Sequence, residues 1–332
     1  MNALHFNLNI ENGNMNYYQE TTKCPHCFSF KTSLLQKSYV QLQNNNRSYN
    51  FFQCYDCTLV FLKNPPSEIA MEEFYHKKYL PHLGSKAWGR FSKLVDFGQY
   101  RLDLKKYSYI KKFYPNINKS SKILDYGCGN PTFLLMTQTK TKAQCFGLDL
   151  SSQGWDKIPE SKLKNIKLIK GSFDKIDEKD KFNIITLWHV LEHEYDPILV
   201  LKNLREKIMS DGILIVEVPN YDSFFVKIQK GFWAGYHTPR HTVVFNKKTL
   251  INAVSKANWE IIQYYRYGTL DAFTLWWLGR QEKVMHKNKI TKINFENKFF
   301  SYLFLKVLTT PFFILENFLS LGVQIIVAKP KT

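Results

Sequence analysis

The chain carries six cysteines in 332 residues. Four of them fall in two Cys-x-x-Cys pairs, Cys24–Cys27 and Cys54–Cys57. That usage excludes the cysteine framework of a small secreted domain stapled by disulfides. The opening stretch, Met1–Ile10, has neither a basic region nor a long apolar core, so it reads as neither a secretion signal nor an anchor. A cytoplasmic location is expected. Long runs of one charge are also missing. The formal net charge is +18, yet no block of five or six basic residues occurs. The lysines therefore read chiefly as solvated surface, and nucleic acid is not the expected partner.

What is present begins with 44% hydrophobic and 16% aromatic residues, the composition of a globular chain with a sizeable core. Between the two cysteine pairs lie strand-like stretches at Ser33–Leu42 and Tyr49–Gln53, separated by the turn-prone Asn44-Asn45-Asn46, and Thr58–Leu62 follows. Two close pairs joined by a hairpin can place four thiolates tetrahedrally around one Zn²⁺. A β module this small lacks the core to fold without such a staple. Cys24, Cys27, Cys54 and Cys57 are thus the expected ligands of a structural zinc. His26 and His82 are not needed, because four cysteines complete the site.

Pro65-Pro66 closes this segment, and residues 67–118 read as mostly helical, with Ile69, Phe74, Tyr75 and Tyr79 as spaced apolar positions. The expected organisation is a ribbon over 20–65, a helical linker over 66–118 and a larger domain over 119–330, with a hydrophobic helical insertion at 270–321. From Lys122 onward, short apolar runs alternate with helical stretches. Strands are expected at Lys122–Tyr126, Ala143–Asp149, Ile166–Lys170, Phe182–Leu187, Gly212–Val218, Trp259–Arg266 and Val323–Lys329. The clearest helix runs from Asp196-Pro197 to Met209, with proline at its first position and Ile198, Leu201, Leu204 and Ile208 on one face. This alternation predicts an α/β fold with a doubly wound, mostly parallel seven-stranded sheet.

The first of these strands ends in Asp125-Tyr126-Gly127-Cys128-Gly129-Asn130-Pro131 and runs into an apolar helix. A glycine-rich turn of this kind lets a ligand approach the backbone closely. Two glycines alone are a weak signal. The carboxylate two places before the first glycine suits a ligand carrying an ammonium group and would repel a pyrophosphate. The next strand ends in Asp149, 24 residues beyond Asp125, the separation of a carboxylate that grips ribose hydroxyls.

Asp125-x-Gly127-x-Gly129 resembles the first motif of class I S-adenosylmethionine-dependent methyltransferases. The later segments Trp188-His189-Val190-Leu191-Glu192-His193, with Asp196-Pro197, then Glu217-Val218-Pro219-Asn220 and Pro239-Arg240-His241, narrow that likeness. They resemble a group with an N-terminal zinc ribbon, similar to sugar C-methyltransferases and to enzymes found with cell-surface glycan synthesis. The resemblance spans about residues 20–330. It implies S-adenosylmethionine as cofactor, Rossmann-like architecture and a sugar or glycan precursor as acceptor. It places Asp125, Gly127, Gly129, Asp149, Leu150, Ser172, Phe173, Trp188 and His189 in the cofactor site. Two positions depart from the family pattern: Pro131 where a third glycine is usual, expected at helix position N1, and Ser172 where an acidic residue often meets adenine.

The resemblance also makes His241 the first candidate for general base, with His189 and His193 as alternatives. Arg240 is a candidate for an anionic substrate group, and the aromatic segment Asn220–His237 for a substrate lid. The competing function is an RNA (tRNA or rRNA) methyltransferase using the ribbon and the basic surface. Against it, the Asn/Asp-Pro-Pro-Tyr/Phe motif of base-amino methylation is absent after the fourth strand. Finally, Phe299–Leu321 is the most apolar stretch, broken by Lys306, Pro311 and Glu316. It is expected to pack on the domain or to touch a membrane surface rather than to span one, since the last strand must return to the sheet.

Overall fold

The computed structural model describes residues 7–11, 14–18, 23–42, 46–75, 80–156 and 158–332. Asn44, Asn45, Tyr79 and the side chain of His82 lie outside them. The elements run β1 (Asn7–Glu11), β2 (Asn14–Tyr18), β3 (Thr32–Tyr39), β4 (Ser48–Cys54), β5 (Val60–Leu62), α1 (Glu68–Met71), α2 (Leu80–Leu83) and α3 (Ser92–Phe113). The larger unit follows as β6 (Lys122–Tyr126), α4 (Thr132–Thr141), β7 (Gln144–Asp149), β8 (Ile166–Lys170), β9 (Phe182–Trp188), α5 (Pro197–Lys207) and β10 (Ile208–Pro219). It closes with α6 (Phe224–Gln229), β11 (Val243–Val244), α7 (Lys247–Lys256), β12 (Trp259–Tyr265), α8 (Ala272–Lys287), α9 (Phe295–Phe313) and β13 (Val323–Pro330).

Seven strands form one sheet in the order β12-β13-β10-β9-β6-β7-β8. Pairings from β8 through β10 are parallel, and β13 alone runs against both its neighbours. The expected fold class is borne out. β9 is central and buried along its whole length, which explains its near-continuous apolar sequence. Its two polar residues are satisfied: Asn183 Oδ1 accepts from Lys122 N, and Thr186 Oγ1 donates to Asp125. One face of the sheet packs on Ile110 of α3 and Phe133 and Leu134 of α4, the other on Leu201 and Leu204 of α5 and Leu250 and Val254 of α7. Strand order reverses between β6 and β9, and such a switch point opens a ligand crevice beyond the carboxyl ends of the strands.

Local rules account for the element ends. Asp196 caps α5 by accepting from Leu199 N at 2.9 Å, with Pro197 at the first helical position. The helix stops at Lys207, short of the expected Met209, because Ile208 and Met209 already belong to β10. Pro131 stands at the N-cap of α4 rather than at N1, and Thr132 begins the helix.

The ribbon is not a free-standing appendage. β11 pairs antiparallel with β5, Val243 opposite Phe61 and Val244 opposite Val60. Cys24, Cys54, Cys57, Leu59 and Phe61 share a core with Leu250 and Val254 of α7. The segment expected as a lid is closed against β3. Ser38 Oγ donates to the Gly231 carbonyl at 2.6 Å, Gln41 Nε2 donates to that of Trp233, and Trp233 and Tyr236 are buried. The 270–321 insertion forms α8 and α9 between β12 and β13.

Candidate functional site

Gly127 and Gly129 form the turn between β6 and α4 with φ of 74° and 50°, values that favour glycine. At Gly127 a Cβ would come within 2.4 Å of Val190, so the loop after β9 sits directly on the turn. At Gly129 the corresponding space is open. Asp149 Oδ2 accepts from Gly129 N and its Oδ1 from Ser151 N, both at 2.9 Å. Each oxygen keeps a further lone pair, so the carboxylate shapes the turn and can still receive hydroxyls.

Asp125 is buried, and burial pushes its carboxyl up to about 6, against the pull of Lys106 and the hydrogen bond from Thr186. Lys106 escaped the sequence reading. Its ammonium lies 5.3 Å from the Trp188 ring and 5.6 Å from Phe133, on the α3 side of the crevice. Asp103, one turn earlier, is also buried, and burial raises its pKa too. The helical signal was legible, but nothing local marked which lysine faces inward.

Leu150 is exposed at the end of β7 and Trp188 is buried at the end of β9. Phe173 is half-buried, while the exposed Ser172 hydroxyl is taken up by Asp174. These positions ring the carboxyl ends of β6 to β9 as expected.

The histidines converge beside this turn. His189, with φ of 59°, bonds Glu217 Oε1 through Nε2 at 2.8 Å, and its Nδ1 is 3.4 Å from Glu192. Burial alone would lower its pKa, but the two carboxylates prevail and push it up to about 9. Glu217 is wholly buried and also accepts from Thr269 N, Thr269 Oγ1 and Leu270 N. His241 places Nδ1 2.8 Å from the Gly235 carbonyl and Nε2 3.8 Å from Glu192. His193 stacks edge-on against it at 4.5 Å, with Nδ1 3.1 Å from the Arg240 carbonyl and 2.9 Å from Tyr75 Oη. Burial lowers the pKa of both rings, well below the usual histidine value for His241. The three predicted histidines are thus brought together, the pKa of His189 raised by its carboxylates and those of the other two lowered by burial.

Arg240 has a different role from the one expected. It is buried, and its guanidinium donates to the Phe74 carbonyl at 2.9 and 2.7 Å and to that of Gln41 at 3.1 Å. It clamps backbone of the first 75 residues and is not presented to an anionic substrate. The supports of the site come from the same region: Leu62 N donates to the Thr242 carbonyl, and Thr242 N donates to that of Glu192.

The four cysteines cluster closely enough to share one ion. Sγ atoms of Cys24 and Cys57, and of Cys27 and Cys54, lie 3.5 Å apart, and all four fall within 4.8 Å of one another. A tetrahedron with Zn–S near 2.3 Å requires sulfurs about 3.8 Å apart. Burial and the adjacent thiols push Cys27 up to about 11, and a cation among the sulfurs would reverse that shift.

A profile of the family described as a methyltransferase domain matches residues 97–264. (S)-Coclaurine N-methyltransferase of Papaver somniferum is 30% identical over 106 residues, covering 30% of each protein. Thus the match spans less than a third of that relative's length. The solved structure of a protein from Galdieria sulphuraria, assigned as a sarcosine dimethylglycine methyltransferase, is similar with a TM-score of 0.50 at 12% identity, over 71% of this chain and 88% of that one. A cyclopropane synthase from Mycobacterium tuberculosis gives a TM-score of 0.46 at 14% identity, over 68% and 84%. At these identities the likeness is one of fold.

Proposed function

The chain belongs to the methyltransferase domain family and is an S-adenosylmethionine-dependent methyltransferase, and from that premise we propose that it methylates a hydroxyl-rich small molecule, a sugar or cell-surface glycan precursor. The observation that carries this reading is the acceptor side of the crevice. There, beside Gly127, imidazoles and carboxylates of His189, Glu192, His193, Glu217 and His241 gather within a few side-chain lengths. A few convergent polar groups in a largely apolar wall suit recognition of hydroxyls. Arg240 is not offered to a phosphate, since its guanidinium is committed to backbone carbonyls.

Bound S-adenosylmethionine supplies an electrophilic methyl group. Asp125 would receive the cofactor's ammonium and Lys106 its carboxylate, Asp149 would take the ribose hydroxyls, and Leu150 and Phe173 would meet the adenine. Positioning supplies much of the rate in an in-line displacement. His189, kept protonated between two carboxylates, holds the loop over the turn. His193 and His241, whose pKa values burial lowers, are the rings able to accept a proton from an acceptor hydroxyl where no ion occupies them. Cys24, Cys27, Cys54 and Cys57 would hold a structural zinc, which would fix β5 and, through its pairing with β11, the segment before α7.

The same reading includes a peripheral membrane contact on the cytoplasmic face. Phe295–Asn317 is long and apolar enough to cross a membrane by length and composition, and only 6% of its apolar window is buried. Phe300, Phe304, Val307, Leu308 and Ile314 are exposed, and Lys283, Lys287, Lys289, Lys292 and Lys298 are exposed beside them. An apolar face flanked by cations fits an anionic bilayer surface carrying lipid-linked acceptors.

The test is incubation of the purified protein with S-adenosylmethionine and a panel of nucleotide sugars and lipid-linked sugars, read by mass spectrometry. Gain of one methyl group on a sugar, lost in Asp149→Ala, supports the reading. Methylation of RNA in place of any sugar would overturn it.

A further inference from the structure

A buried carboxylate and two imidazoles meet at the loop after β9. Glu192 is 1% exposed, and neither carboxylate oxygen accepts a hydrogen bond from any described residue. His241 Nδ1 faces the Gly235 carbonyl and His193 Nδ1 faces the Arg240 carbonyl. A carbonyl only accepts, so His241 Nδ1 carries the proton and its Nε2 keeps a bare lone pair, while His193 Nδ1 lies between the Arg240 carbonyl and the Tyr75 hydroxyl at 2.9 Å. A carboxylate oxygen of Glu192 and one ring nitrogen of each of His193 and His241 lie within 4.8 Å of one another. A buried carboxylate without a hydrogen bond, beside an imidazole lone pair 3.8 Å away, is costly, and an ion among the three ligand atoms would relieve it.

We propose that Glu192, His193 and His241 bind a divalent first-row transition metal, distinct from the zinc of the four cysteines. Two imidazoles and one carboxylate are a donor set for zinc, iron, manganese or cobalt, and three protein ligands leave coordination positions open. The surroundings are those of a built site. The Nδ1–carbonyl bond at Gly235 fixes the His241 tautomer, as the partners of metal-ligating histidines commonly do. Thr242 Oγ1 donates to the Glu194 carbonyl at 2.7 Å and Thr242 N to that of Glu192, locking the two ligand-bearing segments together. Tyr75 Oη at 2.9 Å from His193 adds a tie from the linker. His189 Nδ1 lies 3.4 Å from Glu192 Oε1, the oxygen that also faces His241 Nε2 at 3.8 Å, so the imidazolium it shares with Glu217 offsets only part of the buried charge. With Val190 seated on Gly127, the metal lies one loop away from the cofactor turn, where its open positions would hold acceptor oxygens. The metal site does not depend on which acceptor is used.

The experiment uses the full-length protein with its cysteines zinc-loaded, to which Co²⁺ is added. Binding of one further cobalt per chain is expected, with ligand-field absorption, no sulfur charge-transfer band, and imidazole nitrogen coupling in pulsed electron paramagnetic resonance. Glu192→Gln and His241→Ala should weaken this cobalt at least ~100-fold, beyond the usual 10–100-fold for a supporting residue, while zinc at the cysteines stays at one per chain as evidence of folding. A wild-type protein that binds no second metal, or a second cobalt bound equally well by both variants, would overturn the inference. Calorimetry with S-adenosylmethionine separates the two readings. Cofactor binding without a second metal sinks this inference alone, and a second metal without cofactor binding sinks the proposed function alone.

Discussion

His189 Nε2 donates to Glu217 Oε1 across 2.8 Å, which ties the loop after β9 to the end of β10. Glu217 accepts three more bonds from Thr269 and Leu270, so one carboxylate fastens three segments around the acceptor side of the crevice. Breaking a buried ion pair by deleting one partner leaves an uncompensated charge. Glu217→Ala should therefore lower unfolding free energy by about 3–5 kcal/mol, and Glu217→Gln, which preserves shape, by less. Urea denaturation monitored by fluorescence checks both. A loss below about 1 kcal/mol in the alanine variant, the level of an ordinary hydrogen bond, would show that the pair does not hold the site.

Cofactor affinity should fall in acid because of Asp125. Its carboxyl is raised by burial to about 6. A raised carboxyl favours the protonated folded form, so its contribution to stability is full below the ordinary value of 3.8 and is lost as pH rises through about 6. At neutral pH the buried anion is then destabilising, and an ammonium ligand relieves it. S-Adenosylmethionine should raise the melting temperature more at pH 7.5 than at pH 5, roughly tenfold in affinity per unit below the pKa. Proton release on binding near pH 5.5, read by calorimetry in buffers of different ionisation enthalpy, is the direct check. Asp149→Ala should abolish binding at every pH, whereas Asp125→Asn should flatten the dependence.

What the sequence made legible was local. β6 and β8 have their expected limits, and the other sheet strands differ by a few residues, because short apolar runs between turn residues encode buried parallel strands. Asp196-Pro197 announced a helix start through capping chemistry. The glycine turn and Asp149 were readable since their spacing is set by one strand–helix–strand unit. The failures were of long range. β11 has two residues and no period, and its pairing with β5 bridges about 180 positions in the chain. Arg240 looked like a substrate ligand because a guanidinium in a motif gives no sign of the carbonyls that will surround it. The convergence of Glu192 with His241 depends on the Thr242 hydrogen bonds, which no spacing reveals.

Arg240→Met is expected to destabilise the protein without changing what it recognises. The buried guanidinium satisfies two carbonyls through three bonds, and hydrogen bonds involving a charged group contribute about 1.5–3 kcal/mol each. Allowing for the apolar replacement, a loss of roughly 2–4 kcal/mol follows. If instead the variant melts like wild type and loses only affinity for anionic acceptors, Arg240 is a substrate ligand after all.

Loss of the zinc proposed at the four cysteines should be felt at His241. Cys57 lies in a core with Leu250 and Val254, while Leu62 N holds the Thr242 carbonyl beside His241. Cys57→Ser should remove the zinc and lower turnover, while S-adenosylmethionine affinity changes less than about threefold, because Asp125 and Asp149 are carried by β6 and β7. Zinc content, calorimetry and turnover on one preparation decide it. Equal losses of cofactor affinity and turnover would mean that the ribbon stabilises the whole sheet rather than the acceptor side.

The exposed face of α9 makes a prediction that is independent of catalysis. One side of this helix is anchored: Phe299 stacks on Phe91 with ring centroids 4.0 Å apart, and Lys306 pairs with Asp271 at 2.7 Å. The other side presents Phe304, Val307 and Leu308, each more than 60% exposed. Burying a side chain of this size is worth about 1.5–3 kcal/mol. The double substitution Phe304→Ser and Leu308→Ser should therefore weaken vesicle binding by roughly a hundredfold or more. Because both side chains point away from the protein, its melting temperature should not fall. Flotation with vesicles containing anionic phospholipid measures the first, and added salt should weaken binding further through the neighbouring lysines. A wild-type protein that stays with the soluble fraction at low salt would sink the membrane contact. A double variant that melts earlier would show that the face is covered in solution by the protein itself or by a second copy.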